Sequence, residues 1–498
     1  MSDKTHMHDS GESYGGIQPT KQPNKRGKPP EEAVEERPPT KENASQPTPH
    51  WTPSQGSGPS GLDRVREAAK KDGKTRFTAL LHHVTVDLLR ESYHSLKKKA
   101  APGVDGVTWA DYGRNLEANV IDLHGRVHRG AYHARPSRRV WIPKGDGRQR
   151  PLGIAALEDK VVQHAVGTVL TRVWEEDFLG FSYGFRPGRS QHDALDALYV
   201  GITRKKVNWV LDLDVRSFFD KVDHGWMQRF VEHRIGDRRV VRLIQKWLKA
   251  GVMEQGRWFE TEEGTPQGAV ISPTLANLYL HYVLDLWVDQ WRRTKATGDV
   301  IIVRYADDAV LGFQHREDAL RLLTALQKRM AKFGLELHPE KTRLIEFGRY
   351  AAERRRLRGQ GSPETFNFLG FTHICGTHRK TGYFIVIRTT ISRRMAAKLK
   401  QIHAELRRRL HDSLAETAKW LQSVVRGYFQ YHAVPGNEKR LGAFRSAVLR
   451  LWLRQIRRRS QRSRWTWDRF LERFGAMLPE VCILHPYPSA RFDASHPR

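Results

Sequence analysis

The sequence predicts an α+β body followed by a basic, all-α region, with a disordered N-terminal tail ahead of both. Three observations carry this expectation. Two short apolar segments with the alternation of strands bear paired aspartates, Asp212 and Asp214 in one and Asp307 and Asp308 in the other. Around them apolar residues recur at three- and four-residue spacing, the period of buried helices. From Ile391 onward strand-like alternation ends and long basic helical patterns replace it.

Residues 1 to about 60 are rich in Pro, Gly, Ser, Thr, Gln, Asn and charge, with almost no aliphatic periodicity, so disorder is expected there. Lys21, Lys25, Arg26 and Lys28 could trail over a polyanion. From about Leu62 to Ala101 the pattern turns helical, through Leu88, Leu89, Tyr93 and Leu96, and ends at the loop Pro102–Gly106. Val140–Lys144 and Arg150–Ile154 flank Gly145-Asp-Gly147 and read as a hairpin. With Lys144, Arg148 and Arg150 such a hairpin could cradle a triphosphate, arginine binding phosphate oxygens bidentately and lysine as a point charge. A helix follows from Leu157 to Trp174, with Leu157, Val161, Ala165, Val169 and Val173 on one core stripe. Arg186-Pro-Gly-Arg189 reads as a basic turn.

Trp209–Val215 alternates with period two, placing Trp209, Leu211, Leu213 and Val215 on one face and Asp212 and Asp214 on the other. An acid in an apolar strand is expensive to bury alone. Phe218 and Phe219 follow, where the chain leaves the strand, and two adjacent aromatics are usually both core. Gly264-Thr-Pro-Gln-Gly268 is a breaker-rich loop leading into a helix from Leu275 to Leu286, the kind of loop that brings backbone close to a ligand. Asp299–Phe313 reads as a hairpin with Asp307 and Asp308 at its tip. Adjacent carboxylates repel one another, so the tip must face water or a cation. A helix from Glu317 to Phe333 and a turn at His338-Pro339 precede Lys341.

In the basic region Met395, Leu399, Ile402, Leu406 and Leu410 form one apolar stripe. Residues 439 to 464 hold no acid, include Arg457-Arg-Arg459, and lie among Trp452, Trp465 and Trp467. Basic helices interleaved with aromatics suit RNA, which is bound through phosphates and by stacking on unpaired bases.

Composition agrees. The 498 residues carry 85 Lys and Arg against 55 Asp and Glu, a formal charge of +30 and a pI near 10.2. That charge, with a mean hydropathy of −0.62, points to a nucleic-acid partner. No run of eighteen apolar residues, lipidation signal or secretory leader is seen, so no membrane partner is expected. Cys375 and Cys482 are too few for a disulfide framework or a cysteine-based zinc module, which suits a reducing cytoplasm. No Gly-x-x-x-x-Gly-Lys loop is present, so a P-loop nucleotidase is not supported. The acidic strand and acidic hairpin, set side by side, could supply oxygen ligands for two Mg²⁺ ions, the arrangement used for in-line phosphoryl displacement.

The order of short motifs resembles one family. Tyr305-Ala306-Asp307-Asp308 resembles the signature of reverse transcriptases, and the strand ending at Asp214 resembles their first catalytic motif. Arg150–Ile154, Phe181–Pro187, Gly264–Pro273, His338–Thr342 and Phe368–Phe371 follow, in order, the reverse transcriptases of bacterial group II introns. Arg426-Gly-Tyr-Phe-Gln-Tyr431 resembles their thumb or maturase motif, with Tyr where Trp is frequent. The resemblance covers roughly residues 75 to 480 and implies a right-hand polymerase. Fingers and palm would occupy 62–385 and an all-α thumb, or maturase domain, 386–482, between a disordered tail at 1–61 and a C-terminal tail at 483–498.

By that resemblance Asp214, Asp307, Asp308 and Lys341 are catalytic, Lys341 protonating the leaving pyrophosphate. Asp214, Val215, Asp307 and Asp308 would hold two Mg²⁺ ions. Lys144, Arg150, Phe219 and Gln267 would hold the incoming nucleotide, Phe219 beneath its sugar. Arg186, Arg189, Arg426, Arg457, Arg458 and Arg459 would bind nucleic acid. Expected partners are a group II intron RNA, primer or target DNA, deoxynucleoside triphosphates and a second copy of the chain. The expected function is intron-RNA binding, assistance to splicing, and copying into DNA during retrohoming. The paired cysteine and His-Asn-His patterns of the family's endonuclease domain are not found near the end of the chain, so that domain is expected to be absent. The competing readings are a maturase that only assists splicing and a related reverse transcriptase captured for defence or repair.

Overall fold

The two acidic strands lie side by side in a computed structural model that describes residues 61–143, 149–254, 256–260, 263–265, 268–459 and 464–496. The expected tail, residues 1–61, lies almost wholly outside the described residues. Among those described, strands numbered along the chain form three sheets. The first is β1 (Ser137–Pro143), β2 (Gln149–Ile154), β4 (Val252–Glu254) and β5 (Arg257–Phe259), in the order β2-β1-β4-β5. The second holds β3 (Trp209–Leu213), β6 (Val300–Tyr305), β7 (Asp308–Phe313) and β8 (Arg343–Glu346), in the order β6-β7-β3-β8. The third is β9 (Phe366–Phe368), β10 (Phe371–Thr377) and β11 (Phe384–Thr390), in the order β11-β10-β9.

The β6-β7-β3-β8 sheet is antiparallel and covered on both faces, which explains why its strands read as nearly continuous apolar runs. Leu211, Leu213, Ile302 and Leu311 enter a large core shared with the helices that precede and follow the sheet. Val210, Val303 and Val310 face a second core, closed by β9–β11 and the helix Gln191–Arg204. The predicted helix from Leu157 runs to Asp177, and its buried surface exceeds one stripe: Val162, Val166, Leu170 and Trp174 are buried beside the expected five. It is wedged among helices Gly61–Lys71, Val86–Ser95 and Ser272–Leu280.

The helix predicted over 275–286 continues to Thr294 but is interrupted by a π turn at His281–Asp285. The third core is helical, built from Ser392–Arg408, Leu414–His432, Glu438–Arg458 and Trp467–Phe474. It buries Ile402 and Leu406 of the predicted stripe, with Met395 and Leu399 packed at its edge. Because β11 extends to Thr390, this helical region begins at Ser392 rather than at the expected boundary of 386.

The segment expected to be a C-terminal tail is packed instead. Helix Pro488–Ser495 lies along Gln191–Arg204, where Tyr487 and Tyr199 share a hydroxyl contact of 2.5 Å and Asp493 takes Arg204 bidentately at 2.7 Å. Buried Asp196 holds both Arg388, at 2.9 Å, and Arg491. A carboxylate that is 1 % exposed needs such cations, and one of them comes from the last turns of the chain. No helix among the described residues is long and apolar enough to cross a membrane.

Candidate active site

β6 and β7 pair from Val300–Phe313 to Tyr305–Asp308, leaving a two-residue turn of Ala306 and Asp307. Tight hairpins demand positive φ in the turn, and Ala306 sits at φ 56°. The neighbouring chain locks it there. A Cβ on Gly184 would stand 2.3 Å from the Ala306 nitrogen, so only glycine permits this approach.

β3 runs antiparallel beside β7 with Leu213 opposite Ala309. One further step of the same register sets Asp214 across from Asp308, with Asp307 next to it in the turn. Beyond β3, the Arg216 amide donates to the Glu336 carbonyl at 2.9 Å and the His338 amide to the Asp214 carbonyl at 2.8 Å. These bonds bracket Val215 and Leu337 as a non-hydrogen-bonded pair. The amide and carbonyl of Val215 therefore turn away from Leu337, toward the side where β7 and the Ala306–Asp307 turn lie. Its side chain is buried, so any ligand it offers is that carbonyl. Lys341 reaches the same place, its Nζ 3.4 Å from Asp214 Oδ2, with both side chains 29 % exposed.

This donor set of carboxylates and a backbone carbonyl is all hard oxygen, which suits Mg²⁺ and offers nothing to a thiophilic metal. Among the described residues no group of three or more His, Cys, Asp or Glu side chains is placed to hold a metal ion by itself. Mg²⁺ in phosphoryl-transfer sites takes one or two carboxylates and completes its shell from substrate phosphates and water.

Next to the acids, Ser217 at φ 47° turns the chain into the short helix Phe218–Asp220. The two aromatics separate here. Phe218 is 2 % exposed in the core, whereas Phe219 is only half-buried. The Phe219 carbonyl accepts from the Thr265 amide at 2.8 Å, and a Cβ on Gly264 would lie 2.9 Å from that oxygen. On the other side of the loop, a Cβ on Gly268 would lie 2.7 Å from the Gly153 carbonyl of β2. The glycine-rich loop thus bridges the Phe219 turn and the β1–β2 hairpin. Gln267, like Lys144 and Arg148, lies outside the described residues. Arg150 stands in β2 opposite Ile142.

Two arginines expected on nucleic acid are spent inside the protein. Arg186 is 6 % exposed, pairs with Glu175 at 2.6 Å, and donates to the Leu179 and Ser182 carbonyls at 2.7 and 2.8 Å. Arg189 is half-buried over the Tyr183 ring and donates to the Gly180 carbonyl at 2.5 Å. Both tie down the loop that carries Gly184, because a tight loop under the hairpin leaves carbonyls needing donors. Beside it opens a cavity of about 560 Å³ lined by Arg66, His164, Arg172, Pro187, Gly188 and Thr274.

Residues 142–373 match the family model of the reverse transcriptase (RNA-dependent DNA polymerase). Protein YkfC of Escherichia coli (strain K12) is 35% identical over 288 residues, 51% of this chain and 76% of that protein. The chain belongs to the reverse transcriptases. The group II intron-encoded protein LtrA of Lactococcus lactis subsp. cremoris is 29% identical over 303 residues, 58% of this chain and 50% of LtrA. An uncharacterized 91 kDa protein in a cob intron of Schizosaccharomyces pombe is 34% identical over 196 residues, 39% of this chain and 24% of that protein. The chain thus spans half the length of LtrA and about a quarter of the cob-intron protein.

In this reverse transcriptase the remaining arginines divide by exposure. Arg426, Arg457 and Arg458 are exposed on the helical region, and Arg457 also donates to the Trp465 carbonyl at 2.8 Å. Arg459, expected to bind nucleic acid with them, is half-buried, with Nη2 3.5 Å from the Arg409 carbonyl. Sequence reasoning missed Arg304, which is wholly buried beneath the Asp307 turn. The signal was available: a cation at the end of the run Val300-Ile-Ile-Val303 needs a buried partner.

Proposed function

We propose that this reverse transcriptase extends a DNA primer on an RNA template by two-metal nucleotidyl transfer, and that its RNA is a group II intron it also helps to splice and to carry in retrohoming. The reading rests foremost on the register that brings Asp214 beside Asp308 and the Ala306–Asp307 turn. Asp214, Asp307 and the Val215 carbonyl would hold the ions, with Asp308 assisting. Two Mg²⁺ ions, when bound, supply the charge that activates a primer 3′-hydroxyl and stabilises the departing pyrophosphate. Lys341, within reach of Asp214, would donate the proton that pyrophosphate requires.

The half-buried ring of Phe219 would floor the nucleotide sugar, with the Gly264–Gly268 loop against the nascent pair. The cavity by Pro187 and Gly188, lined by Arg66 and Arg172 as well as Glu175, would receive the template strand. The helical region after Ser392 would act as thumb, its exposed Arg426, Arg457 and Arg458 against RNA phosphates. LtrA is by its name encoded by a group II intron, and that supports the choice of RNA. The test is extension of a DNA primer on an RNA template with and without Mg²⁺, together with sequencing of RNA that copurifies. Absence of Mg²⁺-dependent extension would refute the polymerase reading, and copurifying RNA with no intron sequence would refute the intron partner.

A further inference from the structure

Arg304 occupies the last but one position of β6, is 0 % exposed, and spends all five of its N–H donors. Nε and Nη2 grip the two oxygens of Asp285 at 2.7 and 2.5 Å. Nη1 donates to Asn277 Oδ1 at 3.1 Å and to the Ala306 carbonyl at 2.8 Å, and Nη2 also donates to Ser182 Oγ at 2.7 Å. Asp285, likewise 0 % exposed, neutralises the guanidinium, so this group adds no net charge to the acidic turn above it. Its contribution to that turn is geometric.

The sequence arranges this through the π turn at His281–Asp285. On an uninterrupted α-helix, Asn277 and Asp285 would differ by eight residues, about 80° past two full turns. One inserted residue removes most of that offset and lets both side chains meet the same guanidinium. Asn277 is used twice, its Nδ2 donating to the Gly184 carbonyl at 2.6 Å. Arg304 also holds the Gly184 loop through its backbone: its amide donates to the Phe181 carbonyl at 2.9 Å, and its carbonyl accepts from Tyr183 at 2.8 Å.

We propose that Arg304 is a positioning residue for metal binding: by fixing the Ala306–Asp307 peptide plane from beneath, it sets where the Asp307 carboxylate points. The Ala306 carbonyl and the Asp307 amide belong to one rigid peptide unit. A donor held by three other groups therefore restrains the orientation of the residue that carries the ligand. Supporting groups of this kind tune metal affinity by roughly 10–100-fold. The inference rests on the metal-dependent polymerase reading and goes beyond it in naming the residue that orients the ligand.

The test replaces the pair with apolar side chains, Arg304→Met with Asp285→Leu, which removes both buried charges together and avoids leaving either unpaired. Mn²⁺ binding is measured by paramagnetic resonance on protein loaded with RNA template, chain-terminated primer and deoxynucleotide, beside amide exchange of residues 305–309. The expected result is a cooperative melt, unchanged primer–template affinity, Mn²⁺ binding weakened about tenfold or more, and faster exchange in the turn. Asn277→Ala keeps the ion pair, removes two of the struts, and should shift Mn²⁺ binding in the same direction; it decides the matter should the double variant not fold. Mn²⁺ curves of the folded variants that superimpose on wild type would overturn the role of Arg304. A wild-type protein that binds no Mn²⁺ and makes no DNA would instead overturn the polymerase reading.

Discussion

Phe218 and Phe219 are adjacent rings 5.3 Å apart with opposite fates, and truncating each separates packing from substrate choice. Phe218 is 2 % exposed and also meets Tyr279 at 6.3 Å, so Phe218→Ala should cost about 3–5 kcal/mol of stability. Phe219 is half-buried, and the same truncation should cost about half as much, roughly 1.5–2.5 kcal/mol. Its functional effect should be larger. Forcing an additional oxygen into a packed site costs about 1–3 kcal/mol, equivalent to roughly 5- to 150-fold in relative kcat/KM. If the Phe219 ring closes the space beneath the sugar, Phe219→Ala should raise incorporation of ribonucleotides relative to deoxyribonucleotides by a factor in that range. Single-nucleotide insertion at saturating primer–template, with each sugar in turn, measures the ratio. Phe218→Ala should depress both insertions alike. An unchanged ratio in folded Phe219→Ala would show that this ring is packing and nothing more.

Replacing exposed Arg457 and Arg458 together with Ala should weaken RNA binding and reduce the slope of log affinity against log salt by about 1.4, two phosphate contacts at about 0.7 each for single strands; Arg459→Ala should lower thermal stability and leave that slope unchanged. His373 is fully buried against Phe366, ring centroids 4.7 Å apart, and burial, aided by Arg388, pushes its pKa down to about 3. Because it stays neutral when folded and protonates near 6.5 when unfolded, its contribution is present above pH 6.5 and is lost as pH falls toward 3, by about 1.4 kcal/mol per pH unit. Half-buried His192 and His432 are shifted the same way, again by desolvation. Urea midpoints at pH 6.5 and 4.5 should therefore converge in His373→Phe relative to wild type, and an unaltered difference would contradict this titration.

The parts legible in the sequence are those where period and chemistry coincide. The strands with their aspartates, the β1–β2 hairpin and the helix from Leu157 all have local signatures, and the structure contains each. What escaped depends on partners distant in the chain. Arg186 looked like a surface cation in a turn, but its carboxylate is Glu175, across the loop. Arg304 needs Asp285, which faces it only because a π turn shifts the helix, and no apolar period reveals that insertion. The last residues read as a tail because they lack an apolar stripe. They dock through Tyr487, Arg491 and Asp493 instead, polar contacts with a helix almost three hundred residues earlier. Phe218 and Phe219 are chemically identical, so only the family resemblance singled out Phe219 in the sequence; the turn at Ser217 is what leaves Phe218 buried and Phe219 half-buried.

The central claim is that the Asp307 carboxylate holds metal for phosphoryl transfer. Asp307→Asn keeps the size of the side chain and the hairpin that presents it while removing the charge. The direct measurement is Mg²⁺-dependent extension of a DNA primer on an RNA template, made beside RNA affinity in the absence of nucleotide. The account predicts that Asp307→Asn abolishes extension across the whole Mg²⁺ range and leaves RNA affinity at the wild-type value; extension at a near wild-type rate would contradict it.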